Sequence, residues 1–312
     1  MNNSQMINTS QAKTLVIGTR GSPLAMAQTS IVRGLLRTAW PDLDVRVRTI
    51  KTSGDMFQGV SMVKGAGKGL FTKEIEDQLI DGSIDVAVHS MKDLPTELPA
   101  GLILGASPTR EDARDVLITK QPVTLDALSH GAVVASSSIR RQAQLLARRP
   151  DLRIIEIRGN LDTRLRKLGE HNDWQATMLA SAGLNRLGLR DQWSQYHWQM
   201  LDWDVMLPAV GQGAIGLEVR EDDAVVGALL AAINHEPTFL CTAAERSFLR
   251  AIGGGCQLPY AAHATMDDGA ITLTAARFDS DGSNMRRVTV TGPSTQSRAL
   301  GEQAAARLVA RC

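Results

Sequence analysis

The chain has 312 residues, 43% of them hydrophobic and 21% charged, with a formal net charge of +1. It is too long for one ordinary domain and has the composition of a globular protein with real cores. Near-neutrality excludes a global field that draws in nucleic acid or an anionic membrane, and no stretch approaches the roughly 20 apolar residues that span a bilayer.

In chain order, a polar start over residues 1–12 is expected to be a disordered tail, and it lacks the apolar core of a signal peptide. TLVIG then predicts a buried strand. SPLAMAQTSIVRGLLRTAW predicts a helix capped by Ser22, with Pro23 in its first turn and Leu24, Ile31 and Leu35 on one face. DVRVRTI alternates as a strand, FTKEIEDQLI aligns Phe71, Ile75 and Leu79 on a helix, and IDVAVHS is the next buried strand. This rhythm predicts a parallel sheet with helices on both faces. After a pause at SPTREDARD it restarts with strand AVVAS, helix IRRQAQLLARR, strand RIIEIRG, helix DTRLRKLGE and strand ATMLASAG. From about residue 236 a helix, PTFLCTAAERSFLRAI, three turn-linked strands and a closing helix near Ser297 predict a small α+β domain.

The unusual polar residues fall at particular points of this map. GTRGSP (Gly18 to Pro23), HSMKD (His89 to Asp93), SSSIRRQ (Ser136 to Gln142) and RGNLDTR (Arg158 to Arg164) each follow a predicted parallel strand. Open α/β sheets bind ligands at that edge, where helix N-termini offer N–H groups to anions. Arg20, Arg140, Arg141, Arg158 and Arg164 together predict a cleft for several carboxylates or phosphates. Asp93 is the misfit there. It either pairs with Lys92 or caps LPTEL, or it faces a ligand N–H or a developing cation. The glycine-rich stretch Met56 to Phe71 carries Lys64 and Lys68 and fails the P-loop pattern, which leaves a mobile, cationic lid. GQGAIG precedes a strand rather than a helix, so no dinucleotide site is expected, and no histidine spacing predicts a metal. Three cysteines, Cys241, Cys256 and Cys312, cannot all pair and form no CxxC, which predicts a reducing, cytoplasmic setting. Of these, Cys256 stands out, behind three glycines in GGGCQLP, where the backbone keeps a thiol accessible.

Eight motifs, GTRGSPLA, GKGLF, DVAVHSMKDLP, SSSIRRQ, RGNLDTRL, AGLNRLGL, LPAVGQGA and GGGCQLP, occur in this order. With them the chain resembles the porphobilinogen deaminase (hydroxymethylbilane synthase) family from about Leu15 to its C-terminus. The resemblance implies two similar, doubly wound α/β lobes facing a cleft, as in periplasmic binding proteins, plus the C-terminal α+β domain. It assigns residues 13–109 and 214–232 to the first lobe, 110–213 to the second and 233–312 to the third domain.

The resemblance also implies a dipyrromethane cofactor joined by a thioether to Cys256. Four porphobilinogen molecules are added to it with loss of ammonia, and the linear tetrapyrrole is then hydrolysed off. Asp93 is implied as the catalytic carboxylate that contacts pyrrole N–H groups and steadies the cation left when ammonia departs. Arg20, Ser22, Lys92, Arg140, Arg141, Arg158, Arg164 and Arg186 are implied binders of cofactor and substrate carboxylates. Ser136, Ser137, Ser138 and Asn160 stand in the same motifs, Lys64 and Lys68 reach in from the lid, and Gln212 lies in the crossing back to the first lobe. Phe71 either stacks on a pyrrole or packs in the core. A monomer is expected, with product handover to uroporphyrinogen-III synthase. Two other readings are a non-catalytic two-lobed binder of organic anions and a cysteine hydrolase that pairs Cys256 with His263. The binder would have no use for the GGGC loop or Asp93.

Overall fold

The computed structural model describes residues 14–56, 71–253 and 259–310. The N-terminal tail, Lys64 and Lys68 of the expected lid, Cys256 and Cys312 lie outside the described residues.

The chain begins with β1 (Thr14–Arg20), α1 (Pro23–Ala39), β2 (Asp44–Ile50), the short α2 (Ser53–Met56), α3 (Lys73–Ile80), β3 (Val86–Ser90), a 3-10 turn over Met91–Asp93, and β4 (Leu102–Ala106). A second series follows: β5 (Asp115–Thr119), β6 (Val133–Ala135), α4 (Ile139–Arg148), β7 (Arg153–Ile155), α5 (Leu161–Glu170), β8 (Trp174–Ala180), α6 (Ser181–Arg186), α7 (Leu189–Gln192) and β9 (His197–Leu201). Then come β10 (Ile215–Arg220), α8 (Ala224–Ala231), α9 (Glu236–Ala251), β11 (Tyr260–Asp267), β12 (Ala270–Arg277), β13 (Arg286–Pro293) and α10 (Ser297–Val309).

Two compact units result. One comprises residues up to 110 with 214–239, the other 111–213 with the chain from 240 onward. The first holds a five-stranded sheet of order β2-β1-β3-β10-β4, in which β1 is parallel to β2 and β3. Strand β10 enters antiparallel between β3 and β4, pairing Gly216 with His89 and Val219 with Ile103. Its core is aliphatic, with Leu15, Ile17, Val86, Leu217 and Val219 sealed under α1 and α8.

The second unit repeats the plan as β7-β6-β8-β5-β9, with β6 parallel to β7 and β8 and with β5 antiparallel to both neighbours. It also contains the antiparallel sheet β11-β12-β13, backed by α9 and α10 around Phe248, Leu273 and Leu300. This sheet is joined to the second lobe through Ala143, Leu207, Ala261, Ala276 and Phe278. The two five-stranded sheets are therefore mixed, where alternation alone predicts wholly parallel ones. Strands that run against the rest arrive by long connections, which periodicity does not reveal.

Local capping follows the residues. Ser22 is extended and accepts the Ala25 N–H at 3.2 Å, with Pro23 at the first helical position, where its missing N–H costs nothing. The buried face of α1, however, is Gln28, Thr29, Val32 and Leu36, while Ile31 and Leu35 are exposed. Two polar residues occupy the inner stripe because Gln28 exchanges hydrogen bonds with Ser90 and Thr29 donates to the Ala25 carbonyl.

Candidate active site

In the first lobe, the turns after β1 and β3 stand side by side because those strands are parallel neighbours. They line a pocket with the start of α1, and Arg20, Ser22, Gln28, Phe71, His89, Ser90 and Asp93 face it. Asp93 closes the 3-10 turn and is exposed, with Lys92 half-buried beside it. The Arg20 guanidinium lies 4.2 Å from the centre of the Phe71 ring, a cation–π stack that holds the cation flat. Phe71 itself precedes α3 rather than belonging to it, whereas Ile75 and Leu79 form the buried face. The ring fits because residue 54 is glycine. A Cβ there would stand 2.1 Å from the ring edge.

Beneath the pocket floor is a group that motif reading passes over. His89 Nε2 lies 3.0 Å from a carboxylate oxygen of Glu218 on β10, both side chains being buried. Glu76 of α3 is also buried, and burial pushes its carboxyl up. The Thr72 hydroxyl and His89 oppose that rise, and the charge of Glu218 adds to it.

In the second lobe, the corresponding turns follow β6 and β7, again parallel neighbours. Arg140 and Arg141 open α4, yet they do not stand as open cations. Each is only 6% exposed, and both turn inward onto Asp115, the fully buried first residue of β5. Arg141 donates from Nε and Nη2 to Asp115 Oδ1 at 3.0 and 2.7 Å and from Nη1 to the Met178 carbonyl. Arg140 Nη1 lies 2.8 Å from Asp115 Oδ2 and donates to the Leu207 carbonyl. Gln212 is buried too and donates to Asp115 Oδ1 and the Ala113 carbonyl. Burial alone would raise the Asp115 carboxyl. The charges of Arg140 and Arg141, with hydrogen bonds from Arg140 and Gln212, hold it down to about 2.

Arg164, on α5, donates from Nε to the Gly159 carbonyl and meets no carboxylate among the described residues. Burial, with the nearby charge of Arg141, lowers its guanidinium to about 10. Arg186, at the end of α6, donates to the Gly213 carbonyl at 2.7 Å, and burial likewise lowers it, with Glu111 acting in the opposite sense. Arg158 is more open, 3.5 Å from Glu156.

The small polar residues of these turns are largely occupied in building them. The Ser137 hydroxyl donates to the Ile157 carbonyl and accepts its N–H, tying the two turns together. Ser136 is buried, its carbonyl taken by Gln142 and its hydroxyl facing the Ser138 N–H at 3.4 Å. Ser138 flanks α4 without a side-chain cap, and Asn160 caps α5 by accepting the Thr163 N–H at 2.8 Å. Ser137 and Asn160 thus each satisfy backbone groups of their turns, since turn N–H groups need an acceptor wherever no helix supplies it. His263, the base a cysteine hydrolase would need, is buried on β11, 3.4 Å from Glu245 and edge-on to Trp203. Asp115, Glu76 and Glu218 are the charged residues that motif reading missed. A lone acid inside a strand-like run (DVLIT, AIGLEV) was the available signal, because a charge in such a run is buried only with a partner.

Comparison with known proteins adds a consistent set of matches. The family model described as "Porphobilinogen deaminase, dipyromethane cofactor binding domain" matches residues 15–228, and "Porphobilinogen deaminase, C-terminal domain" matches residues 239–310. A porphobilinogen deaminase of Syntrophotalea carbinolica is 48% identical over 95% of this chain and 93% of its own length. One from Nitratidesulfovibrio vulgaris strain DP4 is 48% identical over 96% and 94%. Among solved structures, a periplasmic binding protein of Salmonella typhimurium with arginine specificity matches 71% of this chain and 92% of its own, at 14% identity and a TM-score of 0.41.

Proposed function

The chain belongs to the porphobilinogen deaminase family, and we propose that it condenses four porphobilinogen molecules, with loss of ammonia, onto a dipyrromethane primer and releases hydroxymethylbilane by hydrolysis. Cys256 is the proposed anchor, as a thioether, and it lies outside the described residues.

The observation that supports this reading in the chain itself is the surplus of guanidinium at the second sheet's edge. Arg140, Arg141 and Arg164 converge there with Asp115 as the one carboxylate that pairs with them among the described residues. Three partly or wholly buried cations sharing one carboxylate are costly in a protein that binds nothing, and they suit a ligand that brings its own carboxylates. A dipyrromethane with acetate and propionate arms is such a ligand, so the residues present fit the group. When bound, it supplies the pyrrole carbon at which the product chain is extended.

Asp93 is placed for a different task. Its carboxylate stands at the mouth of the first lobe's pocket and can accept a pyrrole N–H. Positive charge develops on the substrate as the carbon–nitrogen bond breaks and ammonia leaves with the bonding pair. A fixed carboxylate lowers the energy of that cation and can take up the proton released afterwards. Arg20, held against Phe71, is proposed to bind a substrate carboxylate beside it. A monomeric state, a cytoplasmic location and handover of the product to a uroporphyrinogen-III synthase belong to the same proposal and rest on family membership.

The decisive experiment joins two measurements on one preparation, intact mass and porphobilinogen turnover. The wild-type chain is expected to carry a two-pyrrole adduct, and Cys256→Ala to carry none and turn nothing over. A Cys256→Ala chain with wild-type turnover would remove the anchor assignment.

A further inference from the structure

Asp115 is a buried charged group that the reaction scheme leaves without a task, and its surroundings define one. It is the first residue of β5, fully buried, and both oxygens are engaged: Oδ1 by Arg141 and Gln212, Oδ2 by Arg140 at 2.8 Å. Both guanidiniums are held by backbone as well: Arg141 Nη1, which does not meet Asp115, donates to the Met178 carbonyl, and Arg140 Nη1, which does, donates to the Leu207 carbonyl. The Leu207 backbone is itself gripped by Gln144, which accepts its N–H at 2.8 Å and donates to its carbonyl at 3.0 Å. Two long, flexible side chains are thereby reduced to one conformation.

The arrangement is deliberately unbalanced. A carboxylate serving only to neutralise a buried arginine needs one partner, yet Asp115 has two, and Arg164 lies near enough to Arg141 to feel its charge. Arg140 Nε is buried without a hydrogen-bond acceptor among the described residues. An unmade bond of that kind marks a place where a further acceptor belongs.

We infer that Asp115 is a positioning residue for the primer: it fixes the Arg140–Arg141 fork and leaves that fork with a net positive charge that an incoming carboxylate neutralises. The inference rests on the dipyrromethane reading above. It goes beyond that reading in giving the buried aspartate, rather than the arginines alone, control over whether the chain becomes loaded.

The test uses the full chain and reads the adduct-bearing fraction by intact mass, with folding followed separately by near-ultraviolet circular dichroism. Wild-type chain without an adduct would refute the dipyrromethane reading itself. Given a loaded wild type, Asp115→Asn keeps the shape and removes the charge. It is expected to fold and to carry the adduct in a fraction reduced about tenfold or more, as for loss of a charged, buried acceptor. Asp115→Glu keeps the charge and lengthens the arm, and it is expected to fold with an intermediate fraction. If Asp115→Asn does not fold, Asp115→Glu decides. A folded variant of either kind that is loaded like the wild type overturns the inference. So does failure of both to fold, which would make Asp115 a prop of the core alone.

Discussion

In the first lobe the charges at the sheet edge face a pocket: Asp93 is exposed, and Arg20 lies against an aromatic ring. In the second lobe the same edge, reached by the same kind of parallel strands, carries one pair of its charges inside, while Arg158 stays exposed. Arg140 and Arg141 are almost wholly covered and locked onto a fully buried acid. An acid that must also take up a proton needs a path by which that proton reaches solvent, which an exposed carboxylate has. A group that only holds a permanent anion works best buried, where each interaction is stronger and a fixed geometry needs no reorganisation. On the proposed function, the acid that meets the developing charge stands in the first lobe and the permanent grip on the primer in the second.

The sharpest way to break that division is Asp93→Ala. Turnover is expected to fall about 10²-fold or more, as for loss of a pre-set electrostatic partner. The Cys256 adduct and the melting temperature should stay unchanged. Loss of the adduct as well would mean that the first lobe grips too. Next in size, Arg164→Leu should raise KM for porphobilinogen about thirtyfold, the lower range for truncating one partner of a buried charge contact. In a primer-free Cys256→Ser chain, the same change should raise the melting temperature, because a desolvated guanidinium without a carboxylate partner is removed. A lower melting temperature there would show that Arg164 holds the fold instead.

The smallest effect concerns Glu76, in the buried group under the first lobe's pocket. Its folded-state pKa is raised, chiefly by burial, so the folded chain binds a proton more tightly than the unfolded one. The resulting stabilisation is fully present below the unfolded value of about 4.3 and is lost as pH rises through the folded value. Glu76→Gln, neutral throughout, should therefore gain in melting temperature over the wild type at about pH 8 and gain nothing at about pH 4. Equal differences at both would show that Glu76 is not charged at the expense of the fold.

Much of this was legible in the residues. Ser22 and Pro23 announced the start of α1, and the four polar motifs were placed after the correct strands, because strand ends and helix caps are local events. Strands β4, β5 and β9 were not legible, nor were the antiparallel directions of β5 and β10, since their partners are chosen across long stretches of chain. Nor was the inward turn of Arg140 and Arg141. An arginine at a helix start reads the same whether it meets water or a buried acid, and Asp115 reaches this pair from a strand that the alternation pattern did not reveal. The inner face of α1 was misread for a related reason: Gln28 is inside because Ser90, distant in sequence, satisfies it.

The entry of β10 between β3 and β4 carries a consequence for biosynthesis. Strands β3 and β4 are complete by residue 106, but the strand that separates and pairs them begins only at Ile215. A nascent chain emerging from the ribosome must therefore carry part of a sheet, with the β3 edge over Ala87, Val88, His89 and Ser90 unmatched, while more than a hundred further residues are translated. Fragments ending before that strand should be clients for chaperones rather than independent folding units.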